Sequence, residues 1–173
     1  MYRIVSKEML TPTICRMKVE ASRLASAALP GQFLIVRADE QGERIPLTIS
    51  DFDKEAGTVT IVTQNIGAST SEICSYEEGD SFSDVVGPLG IPSDFTEMSD
   101  EELAGKRYVF IAGGVGTAPV YPQVKWLHER GASVDVIIGA KTKELVIYKD
   151  EMAAVCDNLY ICTDDGSEGF KGL

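Results

Sequence analysis

A glycine-rich turn at residues 110–119, FIAGGVGTAP, joins an apolar strand pattern to a helical pattern. Gly114 and Gly116 have no Cβ atom, so the backbone there could lie close to the pyrophosphate of a nucleotide. The N–H groups of the first helical turn would face the phosphate charge, helped by the helix dipole. The third glycine of the usual Gly-x-Gly-x-x-Gly pattern is absent, and Pro119 takes its place. The turn indicates either a dinucleotide site or a plain strand-to-helix connection, and its place after the first parallel strand favours the former.

The end of the next predicted strand, GAKTKEL, bears on which nucleotide such a turn would bind. An NAD site usually carries an acidic residue about 20 residues after the glycines, for the ribose 2′-OH. Here Lys141 and Lys143 follow the strand instead. Two basic residues would favour the 2′-phosphate of NADP(H), and a solvated lysine pair explains them equally well.

Two stretches of the first half offer candidate phosphate sites. In ERIPLTISD, Arg44 supplies a guanidinium and Thr48 a hydroxyl between apolar residues, although a plain edge strand explains the stretch equally well. In QNIGASTSEI, Gly67 precedes Ser69 and Thr70 at a predicted helix start, which could bind an anion. Ordinary N-capping by Ser69 or Thr70 is the simpler explanation of this second stretch.

The stretch TDDGSEG pairs Asp164 and Asp165 at the end of the third predicted parallel strand. Two carboxylates could do acid–base work, line a ligand crevice or form an Asp-Gly turn. His128 falls late in a helical pattern, so no histidine-based triad is predicted.

The elements that must position these residues differ between the two halves of the chain. The first half predicts short antiparallel strands, rich in Val, Ile, Thr and Phe and separated by Gly, Pro and Asp clusters. They cover residues 13–21, 32–39, 44–53, 57–65 and 80–90, with one short helix that begins at Ser69 or Thr70. Strands at this spacing predict a small barrel or sandwich.

The second half predicts an alternating βαβαβ pattern, which is typical of a parallel nucleotide-binding sheet. Its strands cover residues 107–114, 133–140 and 158–166, with helices at 117–131 and 149–157. The first of these strands is apolar throughout, which predicts that both of its faces are covered. A polar stretch between the halves places the boundary between a domain of residues 1–98 and a domain of residues 99–173.

Composition and charge limit the class of function. The 173 residues are 44% hydrophobic, and no apolar run approaches the ~20 residues of a membrane span. The net charge of −11 predicts repulsion from nucleic acid, from anionic membranes and from acidic partners. The charged N-terminus lacks a signal-peptide pattern, so a cytoplasmic protein is predicted. The four cysteines have no metal-ligand spacing, so no metal site is predicted and free, mostly buried thiols are expected.

The order of motifs along the chain resembles the ferredoxin–NADP⁺ reductase superfamily. The motifs are PGQF, RIPLT, IGAST and GPLG in the first half, then AGGVGTAP, GAKTKEL and DDGSEGFKG in the second. The resemblance is closest to the small flavoprotein subunits of sulfide dehydrogenase or NADH-dependent ferredoxin:NADP⁺ oxidoreductase. The electron-transfer subunit of dihydroorotate dehydrogenase B is a near relative. The resemblance covers essentially the whole chain.

This resemblance implies an antiparallel FAD-binding β-barrel, then a parallel-sheet NAD(P)-binding domain, with hydride exchange between nicotinamide C4 and flavin N5. The family motif places an arginine at the FAD phosphates and a hydroxyl near N5. It matches Pro46, Leu47 and Thr48, but Ile45 takes the arginine position and Arg44 lies one residue earlier. Thr48 is thus implied to be the catalytic hydroxyl and Arg44 the phosphate ligand. The other implied cofactor-binding residues are Ile61, Val62, Thr63, Gly67, Ser69 and Thr70 for FAD, and Gly114, Gly116, Thr117, Ala118, Asp164, Asp165 and Gly166 for the nicotinamide nucleotide.

The chain also departs from the family that it resembles. The family continues past the DDGS turn and binds a [2Fe–2S] cluster through C-terminal cysteines, and this chain has no such cluster of cysteines, so [2Fe–2S] is predicted to be absent from it. A parallel domain normally has about five or more strands, so the second domain is expected to be incomplete at its C-terminus. The resemblance implies an electron-transfer subunit that pairs with a larger flavoprotein or iron–sulfur subunit. The alternatives are a truncated, non-catalytic interaction module and a stand-alone flavin reductase.

Overall fold

The computed structural model describes residues 1–172, which divide into one unit of residues Met1–Pro92 and a second unit that begins at Ser93. The first unit contains β1 (Tyr2–Thr11), β2 (Ile14–Glu20), α1 (Ser22–Ala27), β3 (Phe33–Arg37), β4 (Arg44–Asp53), β5 (Thr58–Gln64), α2 (Ala68–Ser75), β6 (Ser81–Phe82) and β7 (Asp84–Leu89). The second unit contains α3 (Asp100–Ala104), β8 (Arg107–Gly113), α4 (Thr117–His128), β9 (Ser133–Ala140), α5 (Lys149–Ala153), β10 (Asn158–Thr163) and β11 (Phe170–Lys171). Short 3₁₀ turns lie at Asp94–Glu97, Gly114–Gly116 and Lys143–Leu145.

The first unit is a nearly closed antiparallel barrel of seven strands in the order β6-β1-β2-β5-β4-β3-β7. Alternate residues of a strand point to opposite faces, and on β2 the buried residues Cys15, Met17 and Val19 point into the barrel core. Both α1 and α2 pack on β5, and they add Leu24 and Ile73 to the same core. The predicted antiparallel barrel is therefore confirmed.

Within this barrel, β4 is shared between two partners. Residues 44–48 pair with β3 and residues 49–53 pair with β5. In the part of the chain that the structure describes, the β4–β5 ladder ends at the Ile49–Ile61 pair, whereas β5 continues beside β2. The two strands therefore part beyond Ile61, and one side of the β5 backbone has no strand partner there.

The second unit is a parallel sheet of four strands in the order β11-β10-β9-β8. The crossover helices α4 and α5 contact each other and pack on one face of the sheet through Val124, Leu127 and Met152. Facing residues of the sheet, such as Val136 and Ile138, complete this core. The predicted parallel α/β domain is therefore also confirmed.

The opposite face of this sheet carries no helix of the second unit among the described residues. Val109 and Ile111 of β8 are 59% and 76% exposed, and Tyr160 of β10 is 43% exposed. The prediction that both faces of the first parallel strand are covered is thus wrong for the described residues. An apolar run predicts burial but does not tell how many faces are covered, and both crossover helices lie on the same face.

The division between the units falls at Pro92, earlier than the boundary predicted between residues 98 and 99. Phe95 and Met98 pack against the core of the second unit, and the Phe95 ring lies 5.5 Å from the Trp126 ring between centroids. The polar composition of the connecting stretch located the boundary region but hid these two apolar contacts.

Candidate functional site

The outer face of β4 carries the predicted flavin-binding motif. Ile45 and Leu47 pack against the barrel core, so Arg44, Pro46 and Thr48 point the other way. Thr48 is the last of these residues before β4 parts from β5, so it lies at the edge of the opening between the two strands. The half-buried Leu47 would contact a ligand mainly through its backbone.

The β5 segment beside the opening is closely packed. Ile61, Val62 and Thr63 are 1%, 7% and 1% exposed. A ligand in the opening could therefore meet them mainly through their backbone N–H and C=O groups, which is the kind of contact that the family resemblance implies for them.

Arg44 is held by a neighbouring strand. Its Nη2 lies 2.9 Å from Oδ2 of Asp84 on β7, and the two side chains are 51% and 29% exposed. An exposed ion pair of this kind contributes little to stability. The guanidinium can therefore exchange the Asp84 carboxylate for a phosphate, with which arginine can form two parallel hydrogen bonds.

The N-terminus of α2 lies next to the start of β4. The hydroxyl of Ser69 donates a hydrogen bond to the carboxylate of Glu43, the residue immediately before Arg44. The hydroxyl of Thr70 accepts hydrogen bonds of 3.0 Å from the N–H groups of Ile66 and Gly67, which fixes the turn that leads into the helix. The structure thus brings the two predicted phosphate sites of the first unit together.

This arrangement fits the pyrophosphate of FAD. A Cβ atom built on Gly67 would have no neighbouring atom within 4 Å, so the space in front of the helix N-terminus is open. The N–H groups of the first helical turn have no intrahelical acceptor and lie at the positive end of the helix dipole. The carboxylate of Glu43 competes for the same place and would have to turn away from Ser69 when an anion binds.

The glycine turn of the second unit also leaves open space in front of a helix N-terminus, that of α4. Gly114 has a φ of +53°, a left-handed conformation that costs other residues about 1–2 kcal/mol. Gly116 has a φ of −64°, which any residue adopts. A Cβ atom on either glycine would have no neighbour within 4 Å, so the space before α4 is free. The residues present therefore fit a nucleotide pyrophosphate at this helix N-terminus.

The first residues of α4 are buried. Thr117 and Ala118 are 0% and 1% exposed, so a ligand would meet them through their backbone. The hydroxyl Oγ1 of Thr117 is buried and has no hydrogen-bond partner among the described residues. Pro119 lies within the first turn of α4, where its missing N–H removes no helical hydrogen bond.

The other predicted residues of the second unit meet this turn at one edge of the sheet. The carboxyl ends of parallel strands share an edge, so the glycine turn after β8, Lys141 and Lys143 after β9, and the Asp-Asp-Gly turn after β10 all lie there. The N–H groups of Asp164 and Asp165 donate to the carbonyls of Ala140 and Lys141 at 3.1 and 3.3 Å, which joins two of the loops.

Asp165 organises its own turn. Ser167 donates two hydrogen bonds to Oδ1 of Asp165, from its hydroxyl at 2.6 Å and from its backbone N–H at 2.9 Å. These bonds, first of all the one from the hydroxyl, hold the pKa of Asp165 below its usual value. The hydroxyl of Ser167 in turn accepts from the N–H of Lys143 at 2.8 Å. A carboxylate of low pKa is a weak base, so this geometry favours the turn over acid–base work.

Two acidic residues beside the candidate phosphate site were missed by the sequence patterns. Glu43 directly precedes Arg44, so its adjacency was visible, but its contact with Ser69 spans 26 positions. Asp84 is 40 positions from Arg44, and no local pattern indicates that pair.

The rest of the described chain offers few other candidate catalytic or metal-binding groups. Residues 1–172 contain no group of three or more His, Cys, Asp and Glu side chains placed to hold a metal ion. No helix in that range combines the length and the hydropathy needed to cross a membrane. His128 is exposed at the end of α4, as predicted.

No family model matches the chain. An uncharacterised protein from the adh 3′ region of Clostridium beijerinckii is 56% identical over 172 residues, which cover 99% of this chain and 58% of that protein. The homologue of the dihydroorotate dehydrogenase B (NAD⁺) electron-transfer subunit from Thermotoga maritima is 39% identical over 170 residues, which cover 98% of this chain and 57% of that protein.

A solved structure of an NADH-dependent reduced ferredoxin–NADP oxidoreductase, studied for flavin-based electron bifurcation, has the same fold. Its TM-score is 0.88 at 36% identity, over 99% of this chain and 59% of that chain. The present chain thus spans less than two thirds of the length of these relatives, and the match runs through both of its units.

Proposed function

Because the chain belongs to the ferredoxin–NADP⁺ reductase superfamily, we propose that it is the FAD- and NAD(P)-binding part of an electron-transfer flavoprotein. FAD is held by the antiparallel barrel and the nicotinamide nucleotide by the parallel sheet. The bound cofactors would supply hydride exchange between nicotinamide and flavin, and the electrons would go on to a partner subunit or an iron–sulfur carrier. The observation that carries the proposal is the opening between β4 and β5. Thr48 lies at its edge, and β5 leads from the opening to the N-terminus of α2, which contacts the start of β4.

In the barrel, the predicted residues serve three tasks: binding the pyrophosphate, lining the flavin ring and orienting it. Arg44 and the N-terminus of α2, with Gly67, Ser69 and Thr70, bind the pyrophosphate by charge and by backbone N–H groups. The backbone of residues 61–63 lines the isoalloxazine ring. When bound, FAD would supply the hydride-accepting chemistry that side chains lack. Thr48 donates its hydroxyl proton in a hydrogen bond at flavin N5 and so orients the ring.

In the second unit, the chain's task is to bind and orient the nicotinamide nucleotide. Gly114 and Gly116 leave room for the pyrophosphate, whose charge faces the N–H groups of Thr117 and Ala118. The Asp164–Gly166 turn closes the crevice on the side of β10. Lys141 and Lys143 extend from the neighbouring loop and provide charge for a 2′-phosphate.

Flavin binding is the first test. The purified chain should retain, or take up on titration, FAD with the absorbance band of oxidised flavin and quenched flavin fluorescence. Anaerobic addition of NADPH or NADH should then bleach that band within seconds. A chain that binds no FAD at any concentration contradicts the proposal, and a flavin-loaded chain that neither nucleotide bleaches would indicate a non-catalytic module.

The assembly is the wider part of the proposal. The names of the relatives as electron-transfer subunits support a larger flavoprotein or iron–sulfur subunit as partner. All four cysteines are free, which fits a reducing cytoplasm, but only Cys15 is buried, so the expectation of mostly buried thiols is wrong. A stand-alone flavin reductase would instead release reduced flavin, so rapid turnover of free FAD or FMN by the isolated chain would favour that alternative.

A further inference from the structure

Two cysteines that are distant in sequence meet in the barrel. The sulfur atoms of Cys15 and Cys74 lie 3.1 Å apart, although 59 positions separate them, and both are free thiols. Cys15 on β2 is fully buried in the core, whereas Cys74 in the last turn of α2 is partly exposed. A disulfide bond is about 2.0 Å long, so the two sulfurs need to approach by about 1 Å.

The surroundings of the two thiols join three elements. Sγ of Cys15 donates to Sγ of Cys74, and Sγ of Cys74 donates to the carbonyl of Thr63 on β5 at 3.7 Å. Cys15 and Thr63 are also paired in the β2–β5 ladder. Burial, reinforced by the contact with Cys74, raises the pKa of Cys15 to about 12. Cys15 is therefore a protonated thiol behind a more accessible one, and an oxidant would meet Cys74 first.

We propose that Cys15 and Cys74 form an oxidisable dithiol site, which closes to an intramolecular disulfide and fastens α2 to β2. The oxidant is a low-molecular-weight disulfide, RSSR. Sγ of Cys74 attacks one sulfur of RSSR, which breaks the S–S bond, forms a mixed disulfide and releases one RSH carrying the proton of Cys74. Sγ of Cys15 then displaces the second RSH, which carries the proton of Cys15. Two electrons pass from the two thiols to RSSR, and two RSH result.

Helix α2 connects the dithiol site to the proposed FAD site. The last turn of this helix carries Cys74, and its first turn carries the proposed pyrophosphate site at Gly67–Thr70. Cys74 also contacts the β5 residue Thr63, whose backbone is proposed to line the flavin. This consequence rests on the proposed function: the disulfide fixes α2 against the barrel and slows the dissociation of FAD several-fold.

The experiment uses a Cys156→Ser/Cys162→Ser background, in which only the two barrel thiols remain. The protein is incubated with glutathione disulfide and then analysed by intact mass and by thiol titration after denaturation. The expected product has lost two hydrogen atoms, carries no glutathione and has no free thiol, and dithiothreitol restores both thiols. Its thermal unfolding midpoint should rise and should fall back on reduction. Retention of two free thiols, or a glutathione adduct on Cys74 that never closes, would overturn the proposal.

Single variants separate the two roles. Cys15→Ala should stop at one stable glutathione adduct on Cys74, and Cys74→Ser should remain unmodified because Cys15 is buried. If a variant does not fold, peptide mapping of the oxidised parent identifies the Cys15–Cys74 linkage directly. None of these measurements requires a cofactor, so they stand or fall independently of FAD binding. The off-rate of FAD from oxidised and reduced protein then tests the link to the proposed function.

Discussion

Arg44 and Asp84 form an ion pair between β4 and β7, with Nη2 and Oδ2 2.9 Å apart. The pair places an acidic group on the guanidinium that the proposed function assigns to the FAD phosphates. The carboxylate of Glu43, the residue immediately before Arg44, likewise accepts a hydrogen bond from the hydroxyl of Ser69 at the N-terminus of α2. Two carboxylates thus contact the groups to which the proposed function assigns the pyrophosphate.

Removal of the first of these competitors should tighten FAD binding. Asp84→Asn keeps the shape of the side chain but removes its charge, so the FAD dissociation constant should fall about two- to fivefold, the worth of an exposed ion pair. Arg44→Ala should raise it by about tenfold or more, because a hydrogen bond to a charged group is lost. Fluorescence titration measures both, with Glu8→Gln as the control because it breaks another exposed ion pair of the barrel. An Arg44→Ala variant that keeps the affinity of the parent would mean that Arg44 does not bind the phosphates.

In the glycine turn before α4, substitutions of two glycines can distinguish an effect on nucleotide binding from an effect on folding. Gly116 has an ordinary φ and open space around a built Cβ atom, so Gly116→Ala should unfold within about 0.5 kcal/mol of the parent. The added methyl group would occupy the proposed place of the pyrophosphate, so the apparent KM for the nicotinamide nucleotide should rise about tenfold or more.

The comparison with two other glycines sharpens this prediction. Gly114→Ala should lose about 1–2 kcal/mol of stability as well, because its φ is positive. Gly105→Ala, where the Cβ atom meets Glu101 O at an ordinary 3.5 Å, serves as a control far from the glycine turn. A Gly116→Ala variant with unchanged nucleotide kinetics would show that the turn is only a connection.

Much of the fold could be predicted where local pattern and tertiary role agree. The strands at 44–53 and 133–140 have the predicted bounds. Each is a run of apolar and β-branched residues between clear turn signals, and this pattern favours a strand over a helix or a loop. In contrast, β1 was not predicted: two register shifts against β2 break the alternation of its burial. The six-residue helix α1 was also missed, since it has no side-chain cap and is stabilised by packing on the barrel rather than by its own sequence.

The candidate site could be predicted in part. The glycine turns and the hydroxyl of Thr48 carry signals that are local in sequence, so their residues could be named. Their partners could not be predicted, because Asp84 reaches Arg44 across β3 and Cys74 meets Cys15 only where α2 packs on the barrel. The exposed face of β8 escaped prediction for a related reason: the pattern of a strand does not tell on which side its crossover helices pack.

The lysine pair after β9 should set the preference between the two nicotinamide nucleotides. If Lys141 and Lys143 meet a 2′-phosphate, a Lys141→Ala/Lys143→Ala variant should lose kcat/KM for NADPH by about tenfold and keep most of its activity with NADH. Anaerobic flavin reduction with each nucleotide measures the ratio. Lys106→Ala is the matched control, because this exposed lysine precedes β8 at the opposite edge of the sheet. If the ratio of kcat/KM for NADPH to kcat/KM for NADH does not change, the two lysines are only solvated surface charges.

Asp135 should make the stability of the parallel sheet depend on pH in the acid range. Its carboxylate accepts a hydrogen bond of 2.8 Å from Asn158 Nδ2 and lies 2.6 Å from Arg107 Nη2, so it joins β10 and β8 across β9. The bond from Asn158 first, and then Arg107, lower the pKa of Asp135 below 3.8. Since the folded pKa lies below the unfolded one, the carboxylate stabilises the fold above the unfolded pKa, and this stabilisation disappears as the pH falls through the folded pKa.

Asp135→Asn should therefore unfold at a lower temperature than the parent at pH 7, and the gap should narrow as the pH falls below the ordinary range of an aspartate, where the parent loses the same charge. Thermal unfolding followed by circular dichroism along a pH series from 7 downward measures the gap. Asp150→Asn, which removes an exposed carboxylate from α5, should change the midpoint little across that series. A gap of constant size across the series would mean that Asp135 acts through packing and hydrogen-bond geometry rather than through its charge.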